Sequence, residues 1–188
     1  TETRSAIAMG NMMRRFSENE PYKIAWHDDG NQAVIPFVAM SPLPVSEAEV
    51  NGRKINLLRD TGGGILMVDS GIASSLGIAE IDSDEGIYAG GKTREFSYGK
   101  AYSLTLAGVT LHSFPIEMTP VSWISTDINT SEEFVINGII GIDTLRHFLT
   151  TIDYPGQRLV LQPRQHRLRP NSPRTEHHVC REEVTVPF

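Results

Sequence analysis

Read for the alternation of apolar and polar side chains, the sequence changes texture at Ala33. Before it, Thr1 to Asn31 is polar and irregular, with a loose apolar scatter at Ile7, Met12, Met13 and Phe16. This stretch reads as an extension with room for a short helix. Ala33 to Met40 is an apolar strand candidate interrupted by Pro36. Val45–Val50 and Arg53–Leu58 flank Asn51-Gly52, a strong hairpin signal because both residues accept a positive φ. Phe96, Tyr98, Tyr102, Leu104 and Leu106 recur every second residue with one gap, which is strand periodicity. Gly108 then turns the chain into a further strand through Val109 and Leu111. Thr150–Tyr154 and Arg158–Leu161 flank a Pro155-Gly156 turn. Helical signals are few. Asp69 is placed to cap a helix that carries Ile72, Ala73 and Leu76 and ends at Gly77, and Asp143 to cap a second over Thr144–Leu149. After Pro163 the composition shifts to Arg, His and Pro. The pattern predicts a mainly β body over residues 33–163, between an N-terminal extension (1–32) and an exposed C-terminal tail (164–188).

Composition narrows the classes. With 188 residues the chain has the length of one domain, and 39% apolar with 21% charged residues fits a packed globular core. The net charge of −6 argues against generic nucleic-acid binding. Apolar runs such as Phe134–Ile142 fall short of the ~20 residues of a membrane helix. The single cysteine, Cys180, excludes an intrachain disulfide and a multi-cysteine zinc site. No initiator Met and no signal-type apolar region open the chain, so Thr1 reads as a processed or otherwise defined start. His177-His178-Val179-Cys180, with His166 nearby, offers metal-ligand chemistry, but a tail lacks the fixed outer shell that such sites need. His112 and His147 read as ordinary surface or half-buried residues. No G-x-S-x-G or H-E-x-x-H pattern is present, which removes the main rival hydrolases.

Two motifs compete for the chemistry. Gly86-Ile87-Tyr88-Ala89-Gly90-Gly91-Lys92-Thr93 matches the phosphate-loop pattern G-x-x-x-x-G-K-[ST]. A phosphate loop needs a helix leaving it so that amides and the helix N-terminus face the phosphates. Here strand periodicity follows, and Asp82, Asp84 and Glu85 precede it, so the segment reads as a glycine-tipped hairpin. The second motif is Leu57-Leu58-Arg59-Asp60-Thr61-Gly62, an apolar strand that delivers a carboxylate onto a tight turn. Its surroundings sharpen it: the Asp69 helix ending Leu76-Gly77, then Asn137-Gly138-Ile139-Ile140-Gly141-Ile142-Asp143-Thr144-Leu145, then Thr151-Ile152-Asp153-Tyr154.

In order and spacing these motifs resemble the retropepsin-like aspartic proteases, in particular the single-lobe bacterial members. The resemblance runs from about Ala33 to Pro163. It implies a small closed β-barrel with one or two short helices, acting as a homodimer in which two chains each donate one Asp-Thr-Gly loop. Asp60 is then the catalytic residue, supported by Thr61, Gly62 and Gly63. The hairpin tip Ile87, Tyr88, Ala89, Gly90 and Gly91 becomes a flap over a peptide or protein substrate. The resemblance implies no cofactor and no metal, and its often exported bacterial members lean the compartment toward periplasm or export. Asp69-Ser70-Gly71 follows Asp60 too closely for a second barrel half to lie between, so Asp69 is expected to be a cap and not a second catalytic carboxylate. Two features depart from the family pattern. Arg59 replaces an apolar residue, and alternation sends it to the face opposite Asp60, with Asp143 or Asp153 as available partners. Gly63-Gly64 replaces the commoner Ala-Ser or Ala-Thr. Both features motivate an alternative: a weak or inactive barrel that works as a peptide-binding or assembly module. Nucleotide binding through Gly86–Thr93 is a more remote one. One lobe supplies half of a two-carboxylate site, so an enzyme of this length requires a partner copy.

Overall fold

A computed structural model describes residues 10–14, 16, 21–28, 32–40, 43–87, 93–121 and 135–164. Eleven strands carry the fold: β1 (Lys23–Trp26), β2 (Ala33–Pro36), β3 (Val45–Val50), β4 (Arg53–Arg59), β5 (Leu66–Asp69), β6 (Glu80–Ile87), β7 (Thr93–Leu106), β8 (Val109–Thr119), β9 (Gly138–Ile140), β10 (Phe148–Asp153) and β11 (Arg158–Pro163). The larger sheet runs β1-β8-β5-β9-β4-β3-β7-β6, and β7 also pairs with β8. That last pairing closes β8, β5, β9, β4, β3 and β7 into a six-stranded barrel, with β1 and β6 as outer additions. A second sheet, β10-β11-β2, packs its buried residues into the same core. The molecule is mainly β with short helices, as the sequence predicts.

Barrel closure follows from inward-facing apolar positions. Ile55 and Leu57 on β4, Ala48 and Val50 on β3, and Leu104, Leu106, Leu111, Phe114 and Ile116 on β7 and β8 join one buried cluster. The β3–β4 hairpin turns where expected, with Asn51 at φ 50° and Gly52 at φ 79°. The Asn51 side chain also ties this turn to its neighbours: its Nδ2 donates to the Leu76 carbonyl, and its Oδ1 accepts from the Tyr102 and Ser103 amides.

Two expectations need amending. The second helix is one turn, Ile142–Leu145, with Gly141 rather than Asp143 at its N-cap. Phe148 and Leu149 belong to β10, because Phe148 is buried in the barrel core and pairs with Pro163 across β11. The stretch before Ala33 is also more regular than its polarity indicates. It holds a helical turn at 10–14 and strand β1, which pairs with β8 from Lys23↔His112 to Trp26↔Val109.

The strand order places one loop. β4 and β5 follow each other in sequence yet do not pair; β9 lies between them, parallel to β4 and antiparallel to β5. The connection from Asp60 to Ile65 therefore has to arch across the end of β9.

Candidate active site

Leucines 57 and 58 fix the end of β4 from both faces, one in the main core and the other against Val45, Val121, Ile136 and Ile139. Asp60 then leaves the sheet. Its amide still donates to the Ile140 carbonyl at 3.2 Å, and its own carbonyl accepts from the Gly63 amide at 3.2 Å. One carboxylate oxygen accepts from the Gly62 amide at 2.8 Å. This is the local side-chain-to-backbone turn that aspartate favours. Asp60 is half-buried, whereas Thr61 and Gly62 are exposed.

The floor of the loop comes from the segment after β9. The Ile142 amide donates to the Gly63 carbonyl at 2.9 Å and the Asp143 amide to the Gly64 carbonyl at 3.2 Å. A Cβ on Gly141 would collide with both of those carbonyl oxygens. A glycine is therefore required where the two backbones touch. Gly141 belongs to the positioning of Asp60, and its signal in the sequence is the Gly138-Ile139-Ile140-Gly141 run.

Arg59 lies on the barrel's inner face and is only 3% exposed. The expectation that Asp143 or Asp153 pairs with it is not met: Asp143 pairs with Arg146 at 3.3 Å and Asp153 with Arg158 at 2.8 Å. Each carboxylate is thus taken by an arginine of its own segment. Arg59 instead donates from Nε and Nη2 to the buried Ser46 hydroxyl at 3.2 and 2.8 Å. Its Nη1 has no hydrogen-bond partner among the described residues. Burial pulls the guanidinium down to about 9, which still leaves it charged at neutral pH.

β6 and β7 form the hairpin expected around Gly86, pairing antiparallel out to Ile87↔Thr93. Residues 88–92, and with them Tyr88, Ala89, Gly90 and Gly91 at the expected tip, lie outside the described residues, as does the side chain of Ile87. Strand β7 follows the G-x-x-x-x-G-K-T pattern, so the pattern lacks the helix N-terminus that phosphate cradling uses. Asp69 caps the short helix Ser70–Ala73, its Oδ1 accepting from the Gly71 amide and its Oδ2 from the Val121 amide, both at 2.8 Å. Both oxygens are thus engaged in structure. His166, His177, His178 and Cys180 lie outside the described residues. Among the described residues, no group of three His, Cys, Asp or Glu is arranged to hold a metal ion.

The sequence reading gave no role to Ile65, the residue after Gly63-Gly64. It packs on Phe96 and Tyr98 of β7 together with Met12 and Phe16 from the N-terminal segment. Burial pushes the Tyr98 hydroxyl up to about 12, with the Glu117 and Asp84 carboxylates adding to the effect, so it stays protonated. The signal for this contact was the four-residue spacing of Met12 and Phe16, which puts both on one side of a helical turn.

A family profile described as aspartyl protease matches residues 46–144, more than half of the chain, and spans the Asp60 loop, the β6–β7 and β7–β8 hairpins and the Gly141 floor. The chain belongs to the aspartyl protease family. Within this family it is retropepsin-like in the order of its motifs. Among solved structures it is similar to a retropepsin-like aspartic protease from Rickettsia conorii, with 14% identity, 76% of this chain and 94% of that chain covered, and a TM-score of 0.47. It is also similar to the retroviral protease-like domain of Ddi1 from Leishmania major, with 16% identity, coverages of 64% and 92%, and a TM-score of 0.42. No curated protein matches this aspartyl protease family member in sequence.

Proposed function

We propose that the chain is an aspartic endopeptidase whose active form is a homodimer, with Asp60 of each copy as the catalytic residue. The observation that carries this reading is the Asp60 loop itself. One carboxylate is pinned by the Gly62 amide, braced from behind by Gly141, and bordered by an exposed Thr61-Gly62 edge. A single carboxylate is half of what metal-free peptide hydrolysis needs. Two carboxylates held about 3 Å apart cannot both ionise, so they share one proton. The ionised member takes a proton from water as its oxygen attacks the peptide carbonyl carbon. The protonated member gives its proton to the carbonyl oxygen, forming a tetrahedral diol. Collapse of the diol breaks the C–N bond as a proton passes to the leaving nitrogen. Thr61 is available to hydrogen-bond with the partner loop. The β6–β7 hairpin serves as the flap over an extended peptide bound by main-chain hydrogen bonds.

Replacing Asp60 by Asn removes the proton-transfer group while keeping an acceptor oxygen for the Gly62 amide. Cleavage of unfolded peptide libraries between about pH 4 and 7 is expected to vanish, with an unchanged circular dichroism spectrum. Persistent cleavage would refute the assignment. The second reading, a peptide-binding or assembly module, draws on the buried charge of Arg59 next to Asp60. It predicts peptide binding without turnover at any pH or concentration.

A further inference from the structure

We infer that residues 10–14 and 16 occupy part of the peptide cleft of their own chain, with Met12 and Phe16 filling a pocket that a substrate's apolar side chain must share. The inference rests on the proposed function, which makes the Asp60 loop and the β6–β7 hairpin two walls of one cleft. Ile65 continues the first wall. Phe96 and Tyr98 stand on one face of the second, their rings edge to face with centroids 5.1 Å apart. Met12 is fully buried and Phe16 5% exposed, and they meet Ile65, Phe96 and Tyr98 in a cluster separate from the barrel core. Further contacts fasten the segment. Asn11 Nδ2 donates to Asp82 Oδ2 at 2.6 Å, and Asp82 is the cross-strand partner of Tyr98. Lys100 Nζ lies 4.9 Å from the centre of the Phe16 ring.

The contact is built as a displaceable ligand. A helical turn of this length has little stability of its own, and the contacts that hold it include two apolar side chains, one hydrogen bond and one cation–ring contact. Being tethered, it presents itself at an effective concentration on the order of millimolar. A free peptide competes against that. The pocket's chemistry, one aliphatic and two aromatic side chains with Asp82 at the edge, selects a large unbranched or aromatic side chain with a donor beside it.

Binding separates this inference from catalysis. In full-length chains that also carry Asp60→Asn, a fluorescein-labelled peptide spanning residues 9–17 is titrated against the otherwise unaltered protein and against Met12→Ala/Phe16→Ala. Polarisation is expected to show about tenfold or greater tightening in the double variant, and Tyr98→Ala added to it is expected to remove the gain. Equal affinities, or a gain that survives Tyr98→Ala, would overturn the inference. With Asp60 intact, Met12→Ala/Phe16→Ala is expected to lower KM and leave kcat unchanged; a fall in kcat together with lost thermal stability marks a merely structural role and overturns it. On the unaltered chain, excess unlabelled peptide 9–17 is expected to speed hydrogen exchange at residues 10–16, and unchanged exchange refutes self-occupancy whether or not the variants fold. Tightened binding, combined with no peptide cleavage by chains that keep Asp60, would sustain the self-occupancy and refute the catalytic reading instead.

Discussion

Arg59 is the residue that departs furthest from what its position asks. A guanidinium buried on the inner face of a barrel loses hydration, and Ser46 returns only two hydrogen bonds to one oxygen. Its folded pKa of about 9 lies well below the ordinary guanidinium value. Between those values the unfolded chain holds a proton that the folded chain gives up, so stability rises with pH across that window and the cost is fully present at neutral pH. Replacing a buried charge by an apolar side chain of similar volume is often stabilising, provided the serine left behind is not stranded. Arg59→Leu combined with Ser46→Ala is therefore expected to raise the urea-unfolding free energy by about 1–4 kcal/mol. Arg59→Leu alone should gain less, because a buried hydroxyl then lacks its partner. A loss of stability in the double variant would mean that Arg59 has a carboxylate partner outside the described residues. The sequence showed a charge on an apolar strand, on the face opposite Asp60; the actual partner, a serine one strand away, has no signature short of the β3–β4 register.

At the scale of elements, legibility followed period and turn chemistry. The β3–β4, β7–β8 and β10–β11 hairpins were visible because their strands alternate and their turns carry Asn-Gly, Gly108 or Pro-Gly. β5 and β9 were not, because strands of 4 and 3 residues buried between neighbours have no room for alternation. Residues 142–149 illustrate the ambiguity of short apolar runs: the helical reading suits Thr144 and Leu145, while the core's need for Phe148 turns the rest into strand. The Asp69 helix was read correctly from its cap, although its span was divided into an α turn and a 3-10 turn. The cap does more than end a helix. By also accepting from Val121, it fastens the chain leaving β8 to the end of β5. Asp69→Ala removes both bonds and is expected to cost about 1–3 kcal/mol in chemical denaturation. Asp69→Ser, which retains only the cap, should recover part of the loss; equal losses would show that the cap contributes nothing and that the Val121 bond carries the whole effect.

For the whole molecule, acid is the condition to test, because the proposed pair of carboxylates would share its proton below neutrality. His147 stacks on Tyr22 with ring centres 4.4 Å apart, and burial first, then Arg146, hold it below its ordinary 6.5. The folded imidazole resists a proton that the unfolded chain accepts, so stability falls as pH drops below about 6.5. Asp153 is held below its ordinary 3.8 by the Gly156 amide and Arg158. Its contribution is present above that value and lost as pH falls through the depressed one. Urea midpoints followed from pH 7 to 3 are expected to decline in two stages, and His147→Phe should flatten the first alone. A first stage unchanged in that variant would reassign it to another group. The fold at this scale was legible as one lobe, and so was the arithmetic of the site: one chain holds one Asp-Thr-Gly loop. Whether two lobes act together is tested most directly by mixing. Active chains are combined with Asp60→Asn chains at fixed total concentration, under conditions of subunit exchange, and peptide cleavage is followed against the active fraction. A site shared between two copies predicts activity falling as the square of that fraction, whereas activity in simple proportion to it would contradict the shared site.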